Sequence, residues 1–176
     1  SLEIVLTDGT DNYVTGINGS GILSVGIYST GSLSFSGGGN LTVAGGKGGS
    51  SYGIYAYPID DGASAGISFT GSGSIIARGD DSASTSLGLF AKNFIQVLNG
   101  TFTVSGSTKA LNIKPDYMSS SYTISASTDN DESGAQAISS GDLNTKYETY
   151  RYLRFAPGSP VASIGSTNYA SIEAAV

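Results

Sequence analysis

The chain has 176 residues, 39% of them hydrophobic and only 12% charged, with 26 glycines, a formal net charge of −6 and neither Cys nor His. That length and apolar content suit one domain with a continuous core, and the missing Cys and His remove disulfides, thiol nucleophiles, thiolate or imidazole metal sites and the commonest general base. The eight basic residues are scattered, which speaks against nucleic acid and anionic membrane as partners, and no apolar run approaches the ~20 residues of a spanning helix.

In chain order, Leu2 to Leu6 reads as an entry strand. Two phrases then alternate between Gly-rich turns. The first, Gly26-Ile27-Tyr28-Ser29, recurs as Gly53-Ile54-Tyr55-Ala56, as Gly88-Leu89-Phe90-Ala91, and more weakly as Ala110-Leu111-Asn112-Ile113. The second is a pair of alternating strands around a Gly turn. It carries Leu33, Phe35, Leu41 and Val43 in its first copy, and Ile67, Phe69, Ile75 and Ala77 in its second. Ile95, Val97, Phe102 and Val104 follow in the third, and a fourth survives as Tyr122, Ile124 and Ala126. Period-two alternation over short runs predicts strands with one buried face, and residues 1 to 157 offer no sustained helical period.

One copy cannot close a core by itself, so copies must stack, with Ile27, Ile54, Leu89 and Leu111 one above another. The expected architecture is all-β, a single-stranded parallel β-helix solenoid of about four to five rungs. An antiparallel sandwich also gives short, evenly spaced strands. The recurrence of whole three-strand phrases favours stacking. Rung length varies, and the extra residues fall around Tyr57 to Ala65 and Gly79 to Ser86, loops expected to form one rim of a binding surface.

Residues 147 to 158, YETYRYLRFAPG, alternate aromatics and cations and read as a C-terminal capping strand near Tyr150 to Phe155 that blocks edge-to-edge pairing. The division is 1–157 for the stacked domain and 158–176 for a linker and the start of a following module or docking tail, in which IGSTNYASIEAAV reads as a strand and then the first turn of a helix. Residue 1 is not Met and no signal peptide is evident, as expected of a processed or excised piece of a longer chain.

The run LEIVLTDGTDNYVTG followed by GIYSTGSLSFSGGGNLTVAGG resembles modules of bacterial surface proteins grouped as carbohydrate-binding-domain-like, with a pectin-lyase-like right-handed β-helix. The resemblance covers roughly residues 2 to 126 and implies that fold together with glycan binding. It transfers no binding residue.

In the expected register Tyr28, Tyr55 and Phe90 point outward as an aromatic ladder, a surface suited to the apolar faces of sugar rings. Tyr52, Tyr57, Asp60 and Asp61 are candidates to hydrogen-bond sugar hydroxyls beside it. The competing readings are that stacked rings only stabilise neighbouring strands and that the acidic loop is simply solvated. Asp129, Asp131 and Glu132 offer oxygen ligands of the kind calcium takes, although without the spacing of a recognised calcium loop. Arg78 with Asp80 and Asp81 is the one cluster able to support lyase or hydrolase chemistry.

Those readings give a non-catalytic, extracellular or cell-surface module without a cofactor. Its expected partners are a polysaccharide or cell-wall glycan and the flanking domains of a longer surface protein. The alternatives are a structural or adhesive spacer and, less favoured, a polysaccharide-active enzyme.

Overall fold

The computed structural model describes residues 1–18, 22–60, 63–118 and 121–158, together with the backbone of 162–164 and 167–169. The chain makes four passes of three strands each. These are β1 (Leu2–Leu6), β2 (Asp11–Thr15) and β3 (Leu23–Ser29); β4 (Leu33–Gly37), β5 (Asn40–Ala44) and β6 (Ser50–Ala56); β7 (Ile67–Phe69), β8 (Ser74–Arg78) and β9 (Thr85–Ala91); and β10 (Ile95–Val97), β11 (Thr101–Ser105) and β12 (Lys109–Leu111). There follow β13 (Tyr117–Met118), β14 (Tyr122–Ser127), β15 (Gln136–Ile138), a helix α1 (Ser140–Lys146), a 3-10 turn (Tyr147–Thr149) and β16 (Tyr152–Pro157). β17 (Ala162–Ile164) and β18 (Thr167–Tyr169) form a two-stranded antiparallel sheet.

Each pass visits three sheets in the same order. The first sheet runs β1-β4-β7-β10-β13 and the third runs β3-β6-β9-β12, both parallel throughout. The second begins in parallel as β2-β5-β8-β11 and continues through β16, β14 and β15 with antiparallel pairing. The protein is therefore all-β, with one short helix.

The registers follow the repeated phrases. Leu33, Ile67 and Ile95 share one column, Phe35, Phe69 and Val97 the next. In the second sheet Leu41, Ile75 and Phe102 align, as do Val43, Ala77 and Val104. Ile27, Ile54, Leu89 and Leu111 align in the third. Nearly all of these side chains are buried, and burying each Val, Leu, Ile or Phe among them is worth about 1.5–3 kcal/mol. Phe35, Phe69, Phe102 and Phe155 continue as a file of stacked rings through the core, with centroids 5.2, 3.9 and 6.1 Å apart.

Glycine in the first phrase has a steric cause. A Cβ on Gly26 would lie 2.8 Å from the carbonyl oxygens of Ala44 and Gly53, and one on Gly53 would lie 2.6 Å from the Arg78 amide nitrogen, so the third sheet can press against the second at this corner only without a side chain. Beside each glycine a buried serine satisfies the turn that joins these sheets. Ser24 Oγ accepts from the Gly46 amide, Ser51 Oγ from the Asp80 amide and Ser86 Oγ from the Ser107 amide.

Four features differ from expectation. The first pass is complete: β1 pairs with β4 and β2 with β5 along their full lengths, so Leu2 to Leu6 belongs to a whole pass. Asn12 occupies the column of Leu41 and hides the repeat. The segment expected to cap the stack is an interior strand, because Leu153 and Phe155 belong in the core, between Val104 and Phe102 on β11 and Ala126 and Ile124 on β14. The outermost strand of that sheet is β15.

The third difference is α1, seven residues without room for a visible period. It starts at Ser139, whose Oγ accepts from the Asp142 amide, and it buries Leu143 in a small cleft with Pro115 and Met118 at the end of the first sheet. Fourth, the two insertion loops do not share a rim. Residues 57–66 follow β6 and residues 79–84 precede β9, and in parallel neighbours those ends lie at opposite margins. The expected helical turn at the C-terminus lies outside the described residues.

Candidate functional site

The outward side chains of the third sheet form two columns. One carries Tyr28, Tyr55 and Phe90 in register, the other Val25, Tyr52 and Leu87. Tyr52 and Tyr55 both face outward although three residues apart, because alternation is broken at the Gly53 corner, where Gly53 and Ile54 are both buried. That break brings the two columns' rings together.

Tyr28 and Tyr55 stack with centroids 5.7 Å apart, and Tyr55 and Phe90 with centroids 4.7 Å apart. Tyr52 meets Tyr55 and Phe90 edge-on at 4.8 and 5.9 Å. Tyr57, from the loop after β6, completes the cluster at 6.2 Å from both Tyr55 and Phe90, and the Lys92 ammonium sits 5.1 Å from its ring centroid. Burial, reinforced by the neighbouring phenols of Tyr52, Tyr28 and Tyr57, raises the pKa of Tyr55. Its hydroxyl therefore stays protonated at ordinary pH, able both to donate and to accept.

Parallel rings less than 5 Å apart overlap, and Tyr55 stands between Tyr28 and Phe90, so its ring faces are turned to its neighbours. The periphery is what solvent meets. Tyr28 is 52% exposed and Tyr57 37% exposed.

The five aromatic candidates thus converge. Asp60 is exposed on the loop beyond Tyr57, where its carbonyl accepts from the Ala63 amide, and Asp61 lies outside the described residues. Arg78 is separated from Asp80 and Asp81 by the Gly79 corner. The Asp80 carboxylate accepts from the amide and hydroxyl of Ser82, which lowers its pKa, and Arg78 lines the outer face of the second sheet instead. Asp131 Oδ1 is likewise taken by the Ser133 amide and hydroxyl, and among the described residues no three acidic side chains converge as a metal site.

The sequence reading missed a cleft of about 460 Å³ on that outer face. Its floor is Ser74, Ile76, Thr101, Thr103 and Ser105, with Arg78, Tyr152 and Arg154 among them and Asn130, Asp131 and Glu132 as one wall. The signal was divided between distant segments, since Arg154 reaches β11 only through the antiparallel insertion of β16.

Compared with protein-family models, curated proteins and solved structures, the chain matches none. Among the described residues no helix is long and apolar enough to cross a membrane.

Proposed function

We propose that this chain is a right-handed parallel β-helix module, extracellular or attached to a cell surface, that binds an extended glycan without chemical conversion. The observation that supports the reading is the five-ring cluster on the third sheet, with Tyr28 and Tyr57 as its exposed members. Aromatic surface with phenolic hydroxyls at its edge matches the alternating apolar and hydroxyl-bearing character of a sugar ring. Tyr55 and Phe90 act from within the cluster, holding the exposed rings in position.

A polysaccharide pull-down followed by glycan-array binding tests this. Tyr28→Ala should weaken retention at least about fivefold while leaving thermal stability nearly unchanged, as expected for an exposed aromatic contact. Equal retention of wild type and Tyr28→Ala, or no glycan retained at all, sinks the reading.

The second reading is a structural or adhesive spacer between flanking domains. It is favoured by the overlap of the Tyr55 and Phe90 rings, which stabilises adjacent strands whether or not a ligand is present. Under it, every aromatic variant changes stability and none changes binding.

A further inference from the structure

The cleft on the second sheet holds both signs of charge without neutralising them. Arg78 and Arg154 contribute guanidinium groups, and Asp131 and Glu132 face them from the loop between β14 and β15. Among the described residues the ion pairs are Lys109 with Glu148 and Lys146 with Asp142, so neither arginine is engaged by either carboxylate. Tyr152 lies between the two signs and feels both: burial and Glu132 raise its pKa while Arg154 opposes them. Within that loop Asp131 Oδ1 accepts from the Ser133 amide and hydroxyl, and the Ser127 hydroxyl accepts from the Asp129 amide.

The floor crosses β8, β11 and β16, about 10 Å at the usual strand spacing, and presents the hydroxyls of Ser74 on β8 and of Thr101, Thr103 and Ser105 on β11. A pure polyanion would be drawn to the arginines and repelled by the wall. A pure polycation would meet the reverse. The complement is a ligand that carries a carboxylate and an ammonium a few ångströms apart.

We propose that the outer face of the second sheet binds a short peptide segment bearing both charges, its carboxylate on Arg78 and Arg154 and its ammonium on Asp131 and Glu132. Serine and threonine hydroxyls of the floor bond the peptide backbone. This site is independent of the aromatic face, and either can fail without the other.

Calorimetric titration with the blocked peptide acetyl-Gly-Lys-Glu-Gly-amide tests it, beside two control peptides in which Gln replaces the glutamate or norleucine the lysine. The wild type should bind the charged peptide about two- to fivefold more tightly than either control, the increment of one partly exposed charge pair. Arg154→Gln should reduce the preference over the Gln control, and Glu132→Gln the preference over the norleucine control, each leaving the other preference unchanged; a variant that leaves its own preference intact overturns the proposal. No heat at about 10 mM peptide overturns the proposal. Equal affinity for all three peptides also overturns it, as does tighter binding of the norleucine control or of poly-glutamate, which would mark a simple anion site. The peptide comparison on wild-type protein needs no variant to fold.

Discussion

Gly53 is the residue on which the corner between the second and third sheets turns, and its neighbourhood sets a definite cost. A methyl group there meets the Arg78 amide nitrogen and the Gly88 carbonyl oxygen at 2.6 Å, both backbone atoms that cannot rotate away. Gly53→Ala should therefore lose about 1–3 kcal/mol through overpacking, read as a lower urea midpoint. Gly31→Ala is the control, since its Cβ would find nothing closer than 3.7 Å and the change should stay within about 0.5 kcal/mol.

Tyrosines give a pH dependence of known sign. Burial is the first cause of the raised pKa values of Tyr55, Tyr122 and Tyr152, so folding favours the neutral phenol in each. Their contribution is fully present below the unfolded value of about 10 and is lost as pH rises through the higher folded values. Phenolate absorbance and circular dichroism followed upward from pH 9 should show stability falling above pH 10; stability that is flat or rising there would contradict it.

At the scale of elements, β16 carries more weight than its position near the end of the described chain suggests. Phe155 and Leu153 are fully buried between two strands, so Phe155→Ala should cost about 3–5 kcal/mol, whereas Arg154→Gln on the same strand should cost under about 0.5 kcal/mol. Thermal unfolding of the pair distinguishes an interior strand from a cap, for which both changes would be mild. Leu143 is the corresponding anchor of α1. Leu143→Ala should cost about 2–5 kcal/mol and Ser139→Ala about 1 kcal/mol, the loss of an N-cap.

For the whole molecule, legibility tracked the locality of the signal. Spacing alone aligned Leu33 with Ile67 and Ile95, and Tyr28 with Tyr55 and Phe90, because parallel partners repeat the same phrase. The recurring serine before Gly26, Gly53 and Gly88 was present in the sequence as well, but a buried hydroxyl looks like any surface serine until its turn is in place. β16 left no trace of its partners, since an antiparallel neighbour needs only alternation and not likeness. The cleft, built across that junction, was illegible for the same reason.

All the sheet ladders between passes join residues distant in sequence, as Leu2 to Leu33 and Leu33 to Ile67 do. Folding should accordingly take milliseconds to seconds in a stopped-flow refolding experiment, and a microsecond phase carrying most of the amplitude would contradict the topology. The insertion of β16 also fixes an order of events during synthesis. The four passes can be laid down as the chain emerges, but β14 cannot take its final neighbours until residues 152–157 have left the ribosome, because the place beside β11 belongs to them. A nascent or truncated chain ending before residue 150 therefore presents β11 and β14 as two open edges, free to pair wrongly with each other or with another copy. Completion of the fold is thereby deferred to the last strand of the sheet to be made.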